Sequence, residues 1–145
     1  MTSGTLITLA PTGAESAKAD VPALPVTVDE VVATARDCQA IGASVVHLHV
    51  RGADTRPTLD LGRCREVVQA VREATDLVVQ ISSGGAVTDP FDARLAVLDV
   101  EPDAALTVGT ATAAIDPDDA PAQVDDALAA ARERVKVVRS ANIAR

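Results

Sequence analysis

The chain has 145 residues, a length that suits one domain with a hydrophobic core of its own. Hydrophobic residues make up 48% of it and charged residues 23%, a composition typical of a globular protein and not of a disordered one. A formal net charge of −8 repels phosphate groups, and a single aromatic residue offers no platform for stacking bases, so the composition excludes nucleic-acid binding.

The expected location is the cytoplasm. The sequence has no run of about eighteen apolar residues, so no membrane partner or membrane span is predicted. Its first four residues carry no basic group ahead of a short apolar run, and they do not resemble a secretory signal. Cys38 and Cys64 fall in helix-like stretches of a chain that needs no disulfide, which indicates a reducing compartment.

Four short apolar runs, each bounded by turn residues, are predicted as β-strands. They are rich in Val, Ile and Leu without polar alternation, as expected for strands buried on both faces. They recur at the spacing of a strand–helix–strand unit, about 30 residues or more. The predicted strands are Leu6–Leu9, Val45–Val50, Leu77–Ile81 and Ala104–Val108.

Amphipathic helices are predicted between the strands. The first begins with a capping box at Thr27 and Glu30 and stops at Gly42, which tolerates the left-handed conformation. Its predicted inner stripe is Val31, Ala35, Cys38 and Ile41. The second helix is predicted at 61–74 with Val67, Val68 and Val71 facing inward, and a shorter third at 89–98.

Strict alternation of strand and helix predicts an α/β fold with a parallel sheet and right-handed crossovers. A closed (β/α)8 barrel takes about 250 residues. The chain has material for four or five strands, so it forms either a small open sheet or part of a barrel. Residues 111–145 are acidic and alanine-rich; a helix is predicted at 123–135 and a short fifth strand at 136–139.

His47 and His49 are the candidate metal ligands. They are two residues apart near the carboxyl end of a predicted strand, so both side chains project from one face, at the edge where parallel α/β proteins bind ligands. Two imidazoles at that separation can share one metal ion. The alternative is a pair of hydrogen-bonded core histidines, because a zinc site normally has a third protein ligand.

Three further candidates follow other predicted strands at the same edge. Glu15 lies in the loop after the first strand, where the alternative is a solvated carboxylate. Residues 82–85, Ser-Ser-Gly-Gly, could cradle a carboxylate or phosphate with hydroxyl and amide donors, or form a plain turn. Thr107 ends the fourth strand, where a threonine is usually structural.

Four segments in unbroken order resemble the β-keto acid cleavage enzyme family. They are ITLAPTGAE at 7–15, GASVVHLHVR at 42–51, RPT at 56–58 and VQISSGG at 79–85. The resemblance covers about residues 5–110 and implies a TIM barrel, of which 1–110 would be the N-terminal half and 111–145 a divergent helical tail. It implies a divalent metal, usually zinc, and acyl exchange between a β-keto acid and acetyl-CoA that yields acetoacetate and a new acyl-CoA.

The resemblance also implies roles for the candidates. His47 and His49 would be two of the metal ligands, and Glu15 would contact the amino or other distal group of the substrate. The keto-acid pocket would be lined by Ser82, Ser83, Gly84, Gly85 and Thr107. This chemistry suits these residue types, because a Lewis acid polarises a ketone for carbon–carbon cleavage and nearby donors stabilise the developing negative charge.

The sequence departs from the family pattern at several points. Gly52 stands where an Asp usually follows the Arg of the HLHVR segment, and Ser83 replaces a Thr. The resemblance places a third metal ligand (a Glu), a catalytic base (an Asp) and a catalytic Arg in a second half that this sequence does not match, and residues from about 111 onward do not align.

Three functions follow from these observations. The first is a zinc-dependent β-keto acid cleavage enzyme whose partners are a small-molecule β-keto acid and a CoA ester, and which needs a homo-oligomer or a missing C-terminal half to complete its site. The second is a truncated, non-catalytic metal-binding remnant or interaction module. The third, ranked last, is a small nucleotide-binding domain that uses the turn at 82–85, because no acidic ribose-binding residue is suitably placed.

Overall fold

The computed structural model describes residues 5–84 and 89–106, in which strands and helices alternate as predicted. The strands are β1 (Thr8–Leu9), β2 (Val45–Leu48), β3 (Val78–Ser82) and β4 (Ala104–Leu106). The helices are α1 (Val28–Ala40), α2 (Leu61–Ala74) and α3 (Phe91–Ala96), and a 3-10 helix at Val97–Val100 continues α3. The helix predicted at 123–135 and the strand predicted at 136–139 lie outside the described residues.

The four strands form one parallel sheet in the order β1-β2-β3-β4. When consecutive strands are neighbours and each crossover is right-handed, the connecting helices fall on the same face of the sheet. The buried core agrees, because buried residues of α1, α2 and the 3-10 helix belong to one hydrophobic cluster with those of β2 and β3. The chain is therefore a partial α/β fold with one helical layer, and the predicted fold class is confirmed at this level.

The two faces of the sheet differ in burial. The helix face consists of Leu9, Val46, Leu48, Val79 and Ile81, and the last four are at most 2% exposed. The opposite face, here called the histidine face, consists of Thr8, Val45, His47, Val78 and Gln80. Thr8 is exposed and Val78 is 45% exposed. The prediction of strands buried on both faces was therefore wrong for the described part, since its helices cover one face only.

The start of α1 confirms the predicted capping box. The Thr27 hydroxyl accepts from the Glu30 backbone N–H at 3.2 Å, and the Glu30 carboxylate accepts from the Thr27 N–H at 3.0 Å. Lys18 forms an ion pair with the same carboxylate, and the Val26 N–H donates to it at 2.9 Å. The Lys18 hydrogen bond, followed by those from Thr27 and Val26, lowers the pKa of Glu30 to about 2.

The end of α1 is partly as predicted. Gly42 takes a φ of 104°, the left-handed conformation expected of the stop residue. Val31 and Ala35 are buried in the core, but Ile41 is 82% exposed and does not belong to the inner stripe. The reason is that Ile41 is the C-cap, where the chain has already left helical geometry and the side chain no longer follows the helical period.

The predicted strand limits were too wide at two strands. Leu6 and Ile7 precede the paired part of β1 and are 70% and 48% exposed, and β2 ends at Leu48 instead of Val50. Val50 is still buried, so an apolar residue beyond the strand can belong to the core without pairing. Among the described residues, none of the helices has the length and apolar character needed to cross a bilayer.

Candidate functional site

His47 and His49 meet at the carboxyl end of β2. Their Nε2 atoms are 3.1 Å apart, and the rings lie edge to face with centroids 4.9 Å apart. The alternation of β2 sends Val46 and Leu48 to the helix face and His47 to the opposite one, while His49 lies one residue beyond the last paired position. His47 is 9% exposed and His49 is half-buried. The two rings therefore face each other, an arrangement that fits both a shared metal ion and the alternative of hydrogen-bonded histidines.

Gln80 holds the other nitrogen of the His47 ring. Its Oε1 lies 2.8 Å from His47 Nδ1, and the two residues are direct partners in the register of β2 and β3. Because an amide oxygen only accepts, Nδ1 carries the proton, and the lone pair of His47 is left on Nε2, facing His49. Gln80 was not predicted as a site residue. The available signal was one polar side chain in an otherwise apolar strand.

The surroundings of His49 favour the neutral ring. Burial lowers its pKa, and the neighbouring charges of His47 and Arg51 lower it further. A neutral imidazole has a free lone pair, which is the form that binds a metal ion. With His47 Nδ1 protonated, the contact between the two Nε2 atoms is a hydrogen bond that His49 donates, so His49 Nε2 would bind a metal ion after its proton moves to Nδ1.

His47 and His49 fit a divalent metal ion as two of its ligands. Zinc–nitrogen bonds are about 2.0–2.1 Å long, so one ion can reach both Nε2 atoms when they are 3.1 Å apart. Among residues 5–84 and 89–106, no group of three or more His, Cys, Asp or Glu side chains could hold a metal ion. The described part of the chain thus offers two ligands, and further ligands have to come from elsewhere.

A buried arginine attaches the loop after β1 to this edge of the sheet. Arg51 is 3% exposed, and its guanidinium donates to the carbonyls of Thr12 at 3.3 Å, Gly13 at 2.9 Å and Thr55 at 3.4 Å. The Thr12 hydroxyl donates to the His49 carbonyl at 3.1 Å. The loop that carries Glu15 is therefore held against the histidine strand. Arg51 and Thr12 were not predicted as site residues, because their partners are distant in sequence.

The other predicted site residues that the structure describes lie in the loop after β1 and at the end of β3. Glu15 is exposed on the loop after β1, and no hydrogen bond among the described residues joins it to the histidines. Ser82 and Ser83 are buried, at 7% and 1% exposed, and Ser82 shares the face of Gln80 by alternation. The Ser82 hydroxyl accepts from the Gly84 N–H at 3.1 Å. Gly85 and Thr107 lie outside the described residues.

A surface pocket of about 370 Å³ occurs on the helical side of the molecule, away from the histidines. It is lined by residues of α2 and the 3-10 helix and its end: Arg65, Val68, Gln69, Arg72, Asp99, Val100 and Glu101. None of these lining residues belongs to β2, and the histidine pair lies instead on the sheet face opposite the helices. We therefore take the histidine edge, and not this pocket, as the candidate site.

The sequence matches the beta-keto acid cleavage enzyme family over residues 5–143. The chain belongs to this family. Its members in the comparison include the 3-keto-5-aminohexanoate cleavage enzymes of Fusobacterium nucleatum and Acetoanaerobium sticklandii, each 42% identical over 107 residues, which is 72% of this chain and 39% of the relative. The 3-oxoadipate:acetyl-CoA acetyltransferase of Cupriavidus necator is 38% identical over 86 residues, 59% of this chain and 30% of that protein.

Membership of the β-keto acid cleavage enzyme family confirms the resemblance that the four sequence segments carried. The aligned part of the chain spans about two-fifths of the length of the first two relatives, 39% in each case. The family match itself continues through residue 143, beyond the described residues and into the acidic, alanine-rich segment. The expectation that residues from about 111 onward do not align with the family was therefore wrong. The names of two relatives specify acyl or acetone transfer involving acetyl-CoA, which is the general reaction expected of the family.

Proposed function

We propose that this chain is part of a β-keto acid cleavage enzyme that exchanges acyl groups between a β-keto acid and acetyl-CoA. The bond between the keto carbon and the methylene carbon of the substrate breaks, its acyl group passes to CoA, and the acetyl group joins the remaining carboxymethyl fragment as acetoacetate. The observation that carries the proposal is the histidine pair, whose Nε2 atoms converge at 3.1 Å in a chain of this family.

His47 and His49 would hold the divalent metal, zinc in our proposal, through their Nε2 atoms. When bound, that ion supplies Lewis-acid polarisation of a substrate ketone, and a β-keto acid offers both a ketone and a carboxylate oxygen. The half-burial of His49 and the near-complete burial of His47 limit water at this point. A neutral His49 ring would leave the positive charge to the metal, which favours an anionic substrate.

The turn after β3 would bind the keto acid. The hydroxyls of Ser82 and Ser83 and the backbone amide of Gly85 would donate to the carboxylate and to the oxygen that gains negative charge during cleavage. The Gly84 amide, which donates to the Ser82 hydroxyl, would join them by exchanging that hydrogen bond for one to the substrate. Thr107 would line the same pocket from the end of β4. Support for this comes from Ser82, which lies on the face of Gln80 and therefore on the side of His47.

Glu15 would select the distal group of the substrate. It is exposed on the loop that Arg51 and Thr12 hold against the histidine strand, so it is free to meet a ligand on that side. A carboxylate at this position favours a cationic group such as an amine. Acetyl-CoA would be the second substrate and no nucleic acid or membrane would take part.

We further propose that the four-stranded sheet is the N-terminal half of a (β/α)8 barrel within residues 1–110. The order β1-β2-β3-β4 with helices on one face is the winding such a barrel uses, and the histidine face would then be its interior. Because the described residues supply two metal ligands, the site would be completed by another copy of the chain or by a C-terminal half. The proposed location is the cytoplasm.

The proposed activity is tested with purified protein, zinc and acetyl-CoA. The substrates are 3-keto-5-aminohexanoate, 3-oxoadipate and other β-keto acids, and acetoacetate is the measured product. We expect acetoacetate from at least one substrate, and loss of this product in His47→Ala and His49→Ala. Val78→Ala, on the histidine face but at the other end of β3, is the matched control and should retain activity. Absence of acetoacetate with every substrate, at every oligomeric state, would overturn the proposed activity.

The alternative is a non-catalytic metal-binding remnant or interaction module. It is favoured by the observation that the described residues hold only two candidate ligands. It predicts weak zinc binding by the monomer together with no turnover. Zinc titration by calorimetry separates the two proposals, since affinity comparable to that of a three-ligand site speaks against a remnant.

A further inference from the structure

We infer that Gln80 is a positioning residue that sets the tautomer and ring orientation of His47; its consequence for metal binding rests on the proposed function. The two residues face each other across the β2–β3 ladder, and Gln80 Oε1 lies 2.8 Å from His47 Nδ1. They are 33 positions apart in sequence, so only the register of the sheet brings them together.

The register leaves His47 little freedom to turn. Val46 and Leu48, on either side of it, are 0% and 2% exposed in the helix-face core, so the backbone at His47 is anchored. The ring itself is 9% exposed and makes a contact at each nitrogen, with Gln80 at Nδ1 and with His49 at Nε2. Without the Gln80 contact, rotation of the ring about its Cβ–Cγ bond would carry Nε2 away from His49.

The contact also decides which nitrogen is protonated. A neutral imidazole carries one N–H, and the acceptor at Gln80 Oε1 stabilises the form with the proton on Nδ1. In that form the Nε2 lone pair points at the position between the two rings. The opposite tautomer would place an N–H there and would leave two acceptors, Nδ1 and Oε1, facing each other at 2.8 Å.

The consequence for a metal ion follows from general metal-site chemistry. A histidine ligand usually donates its second N–H to an oxygen acceptor, and loss of that acceptor lowers metal affinity by about 10–100-fold. Gln80 is the residue of this chain that occupies the acceptor position for His47. The role is distinct from binding, since Gln80 acts through His47 and needs no contact with metal or substrate.

Two variants of Gln80 separate the effect of its acceptor oxygen from the effect of its side-chain size. Gln80→Met keeps the length of the side chain and removes the acceptor, whereas Gln80→Glu keeps an acceptor oxygen in the same place. Gln69→Met, on the exposed surface of α2, is the matched control for the same chemical change. Thermal unfolding of each variant shows whether it folds as the wild type does.

The first measurement is the ¹⁵N spectrum of the imidazoles in metal-free protein at pH ~8, where unperturbed imidazoles are neutral. In the wild type we expect His47 with Nδ1 protonated and Nε2 unprotonated. Gln80→Met should shift His47 toward a mixture of tautomers, and Gln80→Glu and Gln69→Met should keep the wild-type pattern. An unchanged His47 tautomer in a folded Gln80→Met protein would overturn the inference.

The second measurement is zinc affinity by calorimetry, with no substrate present. We expect Gln80→Met to bind zinc about 10–100-fold more weakly and Gln80→Glu to restore binding. If the wild type binds zinc, equal affinity in Gln80→Met would also overturn the inference. If the wild type binds no zinc while Gln80→Met still changes the tautomer, the proposed metal function fails and the positioning role of Gln80 stands.

Discussion

The burial of single side chains on β3 alternates sharply along four residues. Val79 and Ile81 are 0% exposed on the helix face, whereas Val78 on the histidine face is 45% exposed. A buried aliphatic side chain contributes about 1.5–3 kcal/mol by leaving water, and an exposed one contributes far less. The same chemical change at neighbouring positions should therefore have very different effects on the free energy of unfolding.

Ile81→Ala should lower the free energy of unfolding by about 2–5 kcal/mol, because it leaves a cavity in the core. Val78→Ala should change it by less than about 0.5 kcal/mol while the chain is monomeric and the histidine face is open. Urea denaturation followed by circular dichroism measures both. Similar losses in the two variants would show that the histidine face is covered in solution.

Arg51 is a buried charge that donates hydrogen bonds to three backbone carbonyls from two separate loops. Arg51→Lys keeps the charge but cannot reach Thr12, Gly13 and Thr55 together, because an ammonium lacks the width of the guanidinium fork. Hydrogen bonds from charged groups contribute about 1.5–3 kcal/mol each. We therefore expect a loss of about 1–3 kcal/mol in unfolding free energy, measured against the exposed control Arg56→Lys, which should unfold as the wild type does.

At the scale of the element, the start of α1 combines a capping box with an ion pair. The Thr27 hydroxyl and the Glu30 carboxylate accept hydrogen bonds from amides that the helix itself cannot bond, and Lys18 forms an ion pair with that carboxylate. Asp29 and Glu30 also place negative charge in the first turn, where the helix dipole favours it. The element is therefore stabilised locally, before any contact with the sheet.

Thr27→Ala removes the acceptor for the Glu30 N–H. It should cost about 1 kcal/mol of stability, within a range of about 0.5–2 kcal/mol. Thr34→Ala is the control, since the Thr34 hydroxyl bonds a carbonyl inside the helix and caps no terminus. Chemical denaturation of both variants measures the difference, and equal losses would contradict a capping role.

The lowered pKa of Glu30 predicts a pH dependence of stability. Its folded pKa of about 2 lies below the ordinary value of 4.5, so the carboxylate stabilises the folded state fully above pH 4.5, and this contribution is lost as the pH falls toward 2. The wild type should exceed Glu30→Gln in stability at pH ~6, and the gap should close as acid is added. A gap that stays constant between pH ~6 and pH ~2 would contradict the assignment.

At the scale of the whole molecule, one face of the parallel sheet is open in the described part. Parallel sheets are normally covered on both faces, and an open one exposes apolar surface such as Val78. A second copy or a C-terminal half of a barrel would cover it. The assembly state of the protein in solution tests whether a second copy covers this face.

Val78→Lys should weaken self-association, because it places a charge on the histidine face that a partner would bury. Ile41→Lys, which replaces an 82% exposed residue at the end of α1, should leave association unchanged. Sedimentation velocity over a range of concentrations measures both. A wild type that stays monomeric throughout would contradict a homo-oligomer.

Much of the fold follows from local patterns in the sequence. The limits of α2 agree with prediction at both ends, and the capping box and Gly42 were identified from single residues and their spacing. Strand limits were less accurate at β1 and β2. The reason is that a strand ends where its partner ends, and an apolar run cannot show where pairing stops.

The amino-acid sequence by itself determined the family, the alternation of strand and helix, and the shared face of His47 and His49, because each depends on residue type and short-range period. Only the tertiary structure decided that Gln80 holds His47 and that Arg51 joins the loop after β1 to the end of β2. These contacts link residues more than thirty positions apart, and sheet register and chain packing, which no local pattern encodes, bring them together.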